Sequence, residues 1–371
     1  MSLYELPRKI YFQRDIIDDL SDILAKEGIS NILLITDGNI FKRWKGRIEK
    51  ALGKVKWELF SDVFPEPQVS YVESVAKKFS GKGYDGIVAI GGGSVMDFAK
   101  SIAVKISDSS LDLSAINPFV PLNLSVKLIA VPTTSGTGSD VSFGVVLTDS
   151  EGKLALGNYD LVPFIDILDP SITPEDRGII LPTGVDAFVH SFESLASNTS
   201  TPFTDALAEK AIELIHENLS GALENEEKAK DAMHIAATMA GMAFSNSGTA
   251  LAHALGHSFG SVFHITHGTS VGLFLLPSMK FNSQDEVTRR KYLSVARRLG
   301  FSSIDSLFDD IERLFTLVGQ PVRVREIQIE REKYMGEIDH LAQLALRDSE
   351  LAFNPVVVGE GDLKALFMEN Y

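Results

Sequence analysis

The 371-residue chain has no cysteine. Disulfide frameworks, iron–sulfur clusters and thiolate-held zinc are thereby excluded, and any bound metal must take nitrogen and oxygen ligands. Basic residues are in deficit, 35 Lys and Arg against 50 Asp and Glu, which leaves a formal net charge of −15. That field repels a phosphate backbone, and no Lys/Arg cluster interleaved with aromatics offsets it, so nucleic acid is not an expected partner. No apolar run reaches the roughly 18 residues of a membrane span. Glu5, Arg8 and Lys9 occupy the stretch where a secretory signal would be apolar, so the expectation is a cytoplasmic chain without membrane contact. What is present is globular in balance, 44% hydrophobic and 23% charged, with enough length for two domains.

The two halves differ in texture. Residues 8 to 168 alternate short β-branched apolar runs with amphipathic stretches, and predict strands at 9–13, 31–36, 56–60, 86–90, 127–131, 144–148 and 164–168. Ile16, Ile17, Leu20, Ile23 and Leu24 recur at helical spacing and predict a helix over 15–26. A parallel sheet covered by helices follows. Beyond residue 173 strands vanish, and helices are expected near 184–197, 202–218, 226–246, 247–262, 286–299, 303–318 and 331–347. The expected organisation is an α/β domain over 1–170 and an all-α domain over 171–371, with a cleft between them.

Two loops in the first half suit an anionic ligand. Ile87–Ile90 runs into Gly91-Gly92-Gly93-Ser94, and a helical pattern starts at once, so backbone N–H groups and a helix N-terminus can face a phosphate. Ser94 and Asp97 also have the spacing of a capping box, which would make the turn only a well-started helix. The motif is neither G-x-G-x-x-G nor a Walker loop. The second loop, Val131-Pro132-Thr133-Thr134-Ser135-Gly136-Thr137-Gly138-Ser139-Asp140, offers hydroxyls and glycines at another strand end, where open α/β sheets bind ligands. Asp37 ends the strand at 31–36. Its carboxylate can accept from a ribose hydroxyl and repel a 2′-phosphate, or it can equally cap the next helix.

The second half carries a metal-like constellation. Asp186 and His190 stand four residues apart on one helix face, and four of the eight histidines fall at His253, His257, His264 and His267. A carboxylate with several imidazoles suits a borderline cation such as Fe(II) or Zn(II). His216, His234 and His340 carry no evident chemistry.

Nearly end to end, these motifs resemble the iron-containing, or group III, alcohol dehydrogenases, through Arg8–Phe12, Gly91–Lys100, Pro132–Ser142, Thr183–Glu193, Gly241–Pro277 and Asn354-Pro355. The resemblance implies an N-terminal dinucleotide-binding α/β domain, a helical metal-binding domain, catalysis in the cleft, and a homodimer or higher homo-oligomer with N-terminal strands paired across subunits. It places the metal ligands on Asp186, His190, His253 and His267, and His257 beside the metal as a catalytic, non-ligating residue. Coenzyme contacts fall on Asp37 and Glu66 toward adenosine, on Gly92, Gly93, Ser94 and Asp97 at the diphosphate, and on Thr133, Thr134, Thr137, Ser142, Val146 and Lys153 around diphosphate, ribose and nicotinamide. Two positions depart from the common pattern. Asp140 replaces a glutamate, and His264 adds an imidazole beside the last ligand.

The implied activity is hydride transfer between NAD, or NADP, and a small alcohol or its aldehyde or ketone, with one Fe(II) or Zn(II) polarising the substrate oxygen. His257 would relay the proton, and Phe143, Phe244, Leu251 and Phe263 would line the substrate pocket. Glycerol, glycerol-1-phosphate and hydroxyacid dehydrogenases and dehydroquinate synthase share the implied architecture. A non-catalytic ligand-binding protein and a reductase without its metal are the remaining alternatives.

Overall fold

The computed structural model describes residues 4–149 and 153–371. The chain divides into two units, Met1–Pro174 and Glu175–Tyr371.

In the first unit β1 (Lys9–Phe12), β2 (Asn31–Thr36), β3 (Lys56–Phe60), β4 (Gly86–Gly91), β5 (Lys127–Pro132) and β8 (Ile165–Leu168) form one six-stranded sheet in the order β1-β8-β5-β4-β2-β3. All its pairings are parallel. Parallel strands need both faces covered, and β4 accordingly is buried at every position. Alternation divides the apolar side chains between two cores. Leu33 and Ile35 pack with Ile87 and Phe98, whereas Ile32 and Leu34 pack with Val88, Ile90 and Leu24. The covering helices are α1 (Leu20–Lys26), α2 (Gly38–Leu52), α3 (Val69–Phe79) and α4 (Gly93–Ser107).

From β2 the chain steps outward to β3, then returns to place β4 on the other side of β2. The reversal makes the carboxyl ends of β2 and β4 the switch point, where such sheets open a crevice for ligands.

Two local expectations change. The helix expected over 15–26 opens instead as a 3-10 turn, Ile16–Asp19, because the buried Asp169 carboxylate accepts from the N–H groups of Asp15 and Ile17 and tightens the entry. The strand at 144–148 exists as β6 (Gly144–Thr148) but lies outside the main sheet. It pairs antiparallel with an unforeseen β7 (Lys153–Gly157).

The second unit runs through α5 (Arg177–Ala196), α6 (Pro202–Leu223), α7 (Glu227–Ser245), α8 (Leu251–Phe263), α9 (His267–Asn282), α10 (Glu286–Arg298), α11 (Ile304–Val318), α12 (Arg331–Gly336), α13 (Ile338–Leu346) and α14 (Glu360–Glu369). Helix α5 starts earlier than its sequence pattern suggested. The Asp176 side chain caps it by accepting from Gly178 N at 2.8 Å, and Pro182 is carried inside the helix. Neither α9 nor α14 was foreseen. Helix α9 is buried on nearly every side, so it has no polar stripe to set a period, and it contains Pro277. The expected helix at 331–347 is broken into α12 and α13 around Glu337. Among the described residues no helix is long and apolar enough to cross a membrane.

Candidate metal and coenzyme sites

Two close approaches assemble the core of the helical unit. A Cβ at Gly256 on α8 would lie 2.8 Å from the backbone N of Val271 on α9, and one at Gly268 would overlap the Pro182 carbonyl of α5. Only glycine lets α5, α8 and α9 come this near. Asp186 and His190 project from α5, His253 from α8, and His267 is the first residue of α9.

Their ligand atoms lie within 4.8 Å of one another. From Asp186 Oδ1 the Nε2 atoms of His267, His190 and His253 stand at 3.2, 3.7 and 3.8 Å. Tetrahedral bonds of about 2.1 Å place neighbouring ligand atoms about 3.4 Å apart, so the spacing fits a single cation. Asp186 Oδ1 and His253 Nε2 are buried and accept or donate no hydrogen bond. Such orphaned atoms are costly unless a ligand satisfies them.

The protonation states also suit ligation. Burial lowers His190 to about 4 and His253 to about 3, the latter aided by His267 and His257, so both imidazoles are neutral at pH 7. For Asp186, burial acts upward, but the fields of His190, His267 and His253 outweigh it and hold the carboxyl far below its usual range. Metal binding needs neutral imidazoles and an ionised carboxylate, and here no proton has to be displaced from these three.

Behind the ligands stands Glu193, which sequence reasoning left without a role. It accepts from Ala252 N at 2.5 Å, from His253 N at 3.2 Å and from His253 Nδ1. This fixes the ring so that Nε2 faces Asp186. Burial pushes Glu193 up to about 7 against the pull of the backbone donors. Its signal was present, since 186, 190 and 193 share one helix face.

His257, one turn beyond His253, stacks against His267 at 5.2 Å between centroids. Its Nδ1 is bonded to Asp348 Oδ2 at 2.8 Å. Asp348 begins a segment tied down by Thr249 Oγ1 to Glu350 (2.7 Å), by Asn198 N to the Phe353 carbonyl (2.9 Å), and by a buried amide pair between Asn282 and Asn354. No local pattern could have announced Asp348, which is distant in sequence.

His264 does not join the cluster. It is an exposed residue with φ 56 that closes α8 and turns the chain toward α9. His216 pairs with Asp310 at 2.6 Å. Of the expected pocket residues, Phe244 lies over the His190 ring at 4.2 Å. Leu251 and Phe263 instead pack in the core of the helical unit, and Phe143 packs on Tyr159.

The first unit brings its candidate loops together at the carboxyl ends of β4 and β5, beside the switch point. Thr133 N donates to the Gly91 carbonyl at 3.0 Å. A Cβ on Gly92 would meet Thr134 at 3.3 Å, and one on Gly93 would meet Thr137 at 3.0 Å, so the glycine turn and the hydroxyl loop face each other. Ser94 lies in the first turn of α4. It is not the cap. The extended residue Gly92 is, its carbonyl accepts from Val95 and Met96, and the capping-box reading of Ser94 with Asp97 is therefore corrected. Asp97 turns to the loop instead, accepting from Ser139 Oγ at 2.5 Å and Val146 N at 3.1 Å.

Asp37 is the N-cap of α2, with Oδ1 accepting from Asn39 N and Ile40 N at 2.8 and 3.0 Å. Glu66, with φ 52, pairs with Lys153 on β7 at 3.0 Å. Ser142 is buried, and Val146 exposes its side chain on β6. Asp140, the departure from the common pattern, is buried in the same loop.

A parallel-sheet unit with a glycine turn at a helix N-terminus, and a helical unit with a converging carboxylate–imidazole group, are the parts that a metal- and nucleotide-dependent oxidoreductase requires. The iron-containing alcohol dehydrogenase profile matches residues 7–170, and that of the C-terminal part of the Fe-containing alcohol dehydrogenase family matches 180–371. The chain belongs to the iron-containing alcohol dehydrogenase family, and with it to enzymes that use NAD(P) and a divalent metal.

Among its relatives is the NADPH-dependent butanol dehydrogenase of Clostridium saccharobutylicum, 31% identical over 99% of this chain and 97% of the relative. An alcohol dehydrogenase of Thermococcus barophilus is 34% identical over 86% and 85% of the two chains. The structure of an iron-containing alcohol dehydrogenase from Thermococcus thioreducens superposes with a TM-score of 0.92 at 29% identity, covering 100% of this chain and 99% of the other. The sulfoacetaldehyde reductase of Bifidobacterium kashiwanohense, solved with NAD+, gives 0.90 at 26% identity and covers 100% and 98%.

Proposed function

We propose that the chain interconverts a small alcohol and its aldehyde or ketone by hydride exchange with a nicotinamide dinucleotide. The observation that carries this reading is the Asp186, His190, His253 and His267 set, the first three buried and His267 partly open, whose ligand atoms fall within 4.8 Å of one another. When bound, a divalent cation supplies Lewis-acid polarisation of the substrate oxygen, and the dinucleotide supplies or accepts the hydride.

The chain's own groups do the rest. Asp186, His190, His253 and His267 hold the cation, and Glu193 orients His253. Phe244 covers the His190 ring and keeps water from that side. His257 moves the proton. With Nδ1 held by Asp348, its Nε2 is the free end, and its one-third-exposed side chain can pass a proton to solvent. On the coenzyme side Gly92, Gly93 and Ser94 present the N-terminus of α4 to the diphosphate, with Thr133, Thr134 and Thr137 opposite. Ser142, Val146, Lys153 and Glu66 border the remainder. The Asp37 carboxylate favours NAD over NADP, because a 2′-phosphate beside it would be repelled.

The subunits pair through β1. This edge strand exposes Ile10 and Phe12, and its outer side takes no strand of the described residues.

The test is to strip the purified protein of metal, reload it with Fe(II) or Zn(II), and follow NADH and NADPH oxidation over short aldehydes, ketones and hydroxyaldehydes. Metal-dependent turnover with a preference for NADH is expected. Turnover indifferent to chelation, or none with any metal, defeats the reading. Light scattering on the same samples reports the dimer, and Ile10→Lys should dissociate it.

A further inference from the structure

The glycine turn has no side chains of its own, yet it and the hydroxyl loop keep a defined mutual position. Their connection lies deeper in the unit. Lys100 sits on α4 one turn after Asp97 and is only 1% exposed. Its ammonium donates to the Ser142 carbonyl at 2.7 Å, the Gly144 carbonyl at 3.0 Å and Ser139 Oγ at 3.3 Å. Three donors thus meet three acceptors, all within residues 139–144, which lead from the hydroxyl loop into β6. Asp97 grips the same stretch from the same helix, through Ser139 Oγ and Val146 N.

We propose that Lys100 is a positioning residue for the coenzyme, tying residues 139–144 to the helix whose N-terminus receives the diphosphate, so that the two facing loops form one preorganised cradle for a nicotinamide dinucleotide. The inference rests on the reading of these loops as the coenzyme site.

Electrostatics agree with it. Burial draws the Lys100 ammonium down to about 8, against the fields of Asp97 and Asp140 that favour its charge. A carboxylate near a helix N-terminus would work against a bound diphosphate, and a cation beside Asp97 offsets that charge. Asp97 therefore acts as a strut rather than as a contact to the anion. The length of lysine is needed, because the acceptors lie on another segment while the backbone of α4 stays packed through Phe98, Ala99 and Ile102.

The test uses the metal-loaded protein and NADH itself as probe, with binding followed by fluorescence and metal content measured in parallel. Lys100→Met should raise the NADH Kd by roughly tenfold or more, the usual effect of losing hydrogen bonds from a buried charge. Metal stoichiometry should remain that of the wild type. Amides in 137–146 should exchange faster with solvent while those of β2 and β3 do not, and KM for NADH should rise more than kcat falls.

A folded Lys100→Met protein with an NADH Kd within twofold of wild type overturns the inference. Should that variant fail to fold, Ser139→Ala decides. It removes the hydroxyl that Lys100 and Asp97 share, and an unchanged Kd there overturns the inference equally. A wild-type protein that binds no NADH defeats the coenzyme reading first and this inference with it, and is distinguished by the wild-type titration alone.

Discussion

The proposed coenzyme cradle and the proposed metal cage are built of opposite materials for opposite tasks. The cradle is made of backbone. Its working surface is a glycine turn and a helix N-terminus, and the charged groups near it, Asp97 and Lys100, are turned away into struts. The cage is made of side chains on rigid helices, with Asp186, His190 and His253 all at most 5% exposed. A large, flexible dianion would be met by many weak, spread-out donors, whereas a point charge would be met by a few convergent atoms. The cradle should therefore be sensitive to added atoms and the cage to removed ones.

The largest effect tests the cage. Asp186→Asn keeps the shape but removes the anionic ligand, and the metal should be lost. Lewis-acid catalysis is worth several kcal/mol, so kcat/KM should fall by on the order of a thousandfold or more. Elemental analysis should show the missing ion, while the NADH Kd stays at the wild-type value. A parallel loss of NADH binding would break the separation drawn between the two sites.

Glu193→Gln goes one layer out. The bonds from Ala252 N and His253 N can survive on the amide oxygen, but the second oxygen, which accepts from His253 Nδ1, becomes an NH2 donor. Metal affinity should drop about 10- to 100-fold, measured by competition with a chelator. An unchanged affinity would show that packing alone orients the ring.

Gly93→Ala makes the complementary test. The new methyl would stand 3.0 Å from Thr137 Cγ2 and 3.1 Å from its hydroxyl, so the loop must give by a few tenths of an ångström. KM for NADH should rise roughly tenfold, in keeping with the sensitivity of bound geometry to small displacements, and metal content should not change. If the substitution is silent, the two loops do not face one another across the ligand.

The same contrast explains what could be read from the sequence. Side chains announce themselves: Asp186 with His190 and His253 with His257 were visible as helix-spaced pairs, the resemblance singled out His267, and the structure gathers Asp186, His190, His253 and His267 within 4.8 Å. The strands of the parallel sheet were visible because they are short, apolar and β-branched. Backbone-made features were less legible. The Ser94 and Asp97 spacing imitated a capping box while the true cap was Gly92, whose contribution is a conformation and not a functional group. Helix α9 escaped because a segment buried all round has no amphipathic period. Asp348 and Lys100 escaped for a different reason. Their partners are set by tertiary packing, at 91 residues' separation for Asp348 and His257 and 42 for Lys100 and Ser142.

The smallest effect separates the two units by pH in the metal-free protein. His190 and His253 have folded values of about 4 and 3 against an ordinary 6.5, so the unfolded chain binds more protons than the folded one below pH 6.5. Their contribution is present above pH 6.5 and is lost as the pH falls toward 4. Glu193, raised to about 7, has the opposite sign and gains stability over the same descent. Two protons against one leave a net loss of stability as the pH falls from 6.5 to 4.5, on the order of 1 kcal/mol per pH unit and a few degrees in Tm. In the other unit burial raises Asp97 and Asp166, and carboxyls raised on folding are stabilised, not destabilised, by acid. The two tryptophans, Trp44 and Trp57, both belong to the first unit, whereas the helix signal comes mainly from the second. Circular dichroism melts of the metal-free protein should therefore fall in temperature from pH 6.5 to 4.5 more than tryptophan melts do, and metal loading should remove much of the difference near pH 6.5. Identical shifts by both probes would mean that the cage histidines do not govern the acid response.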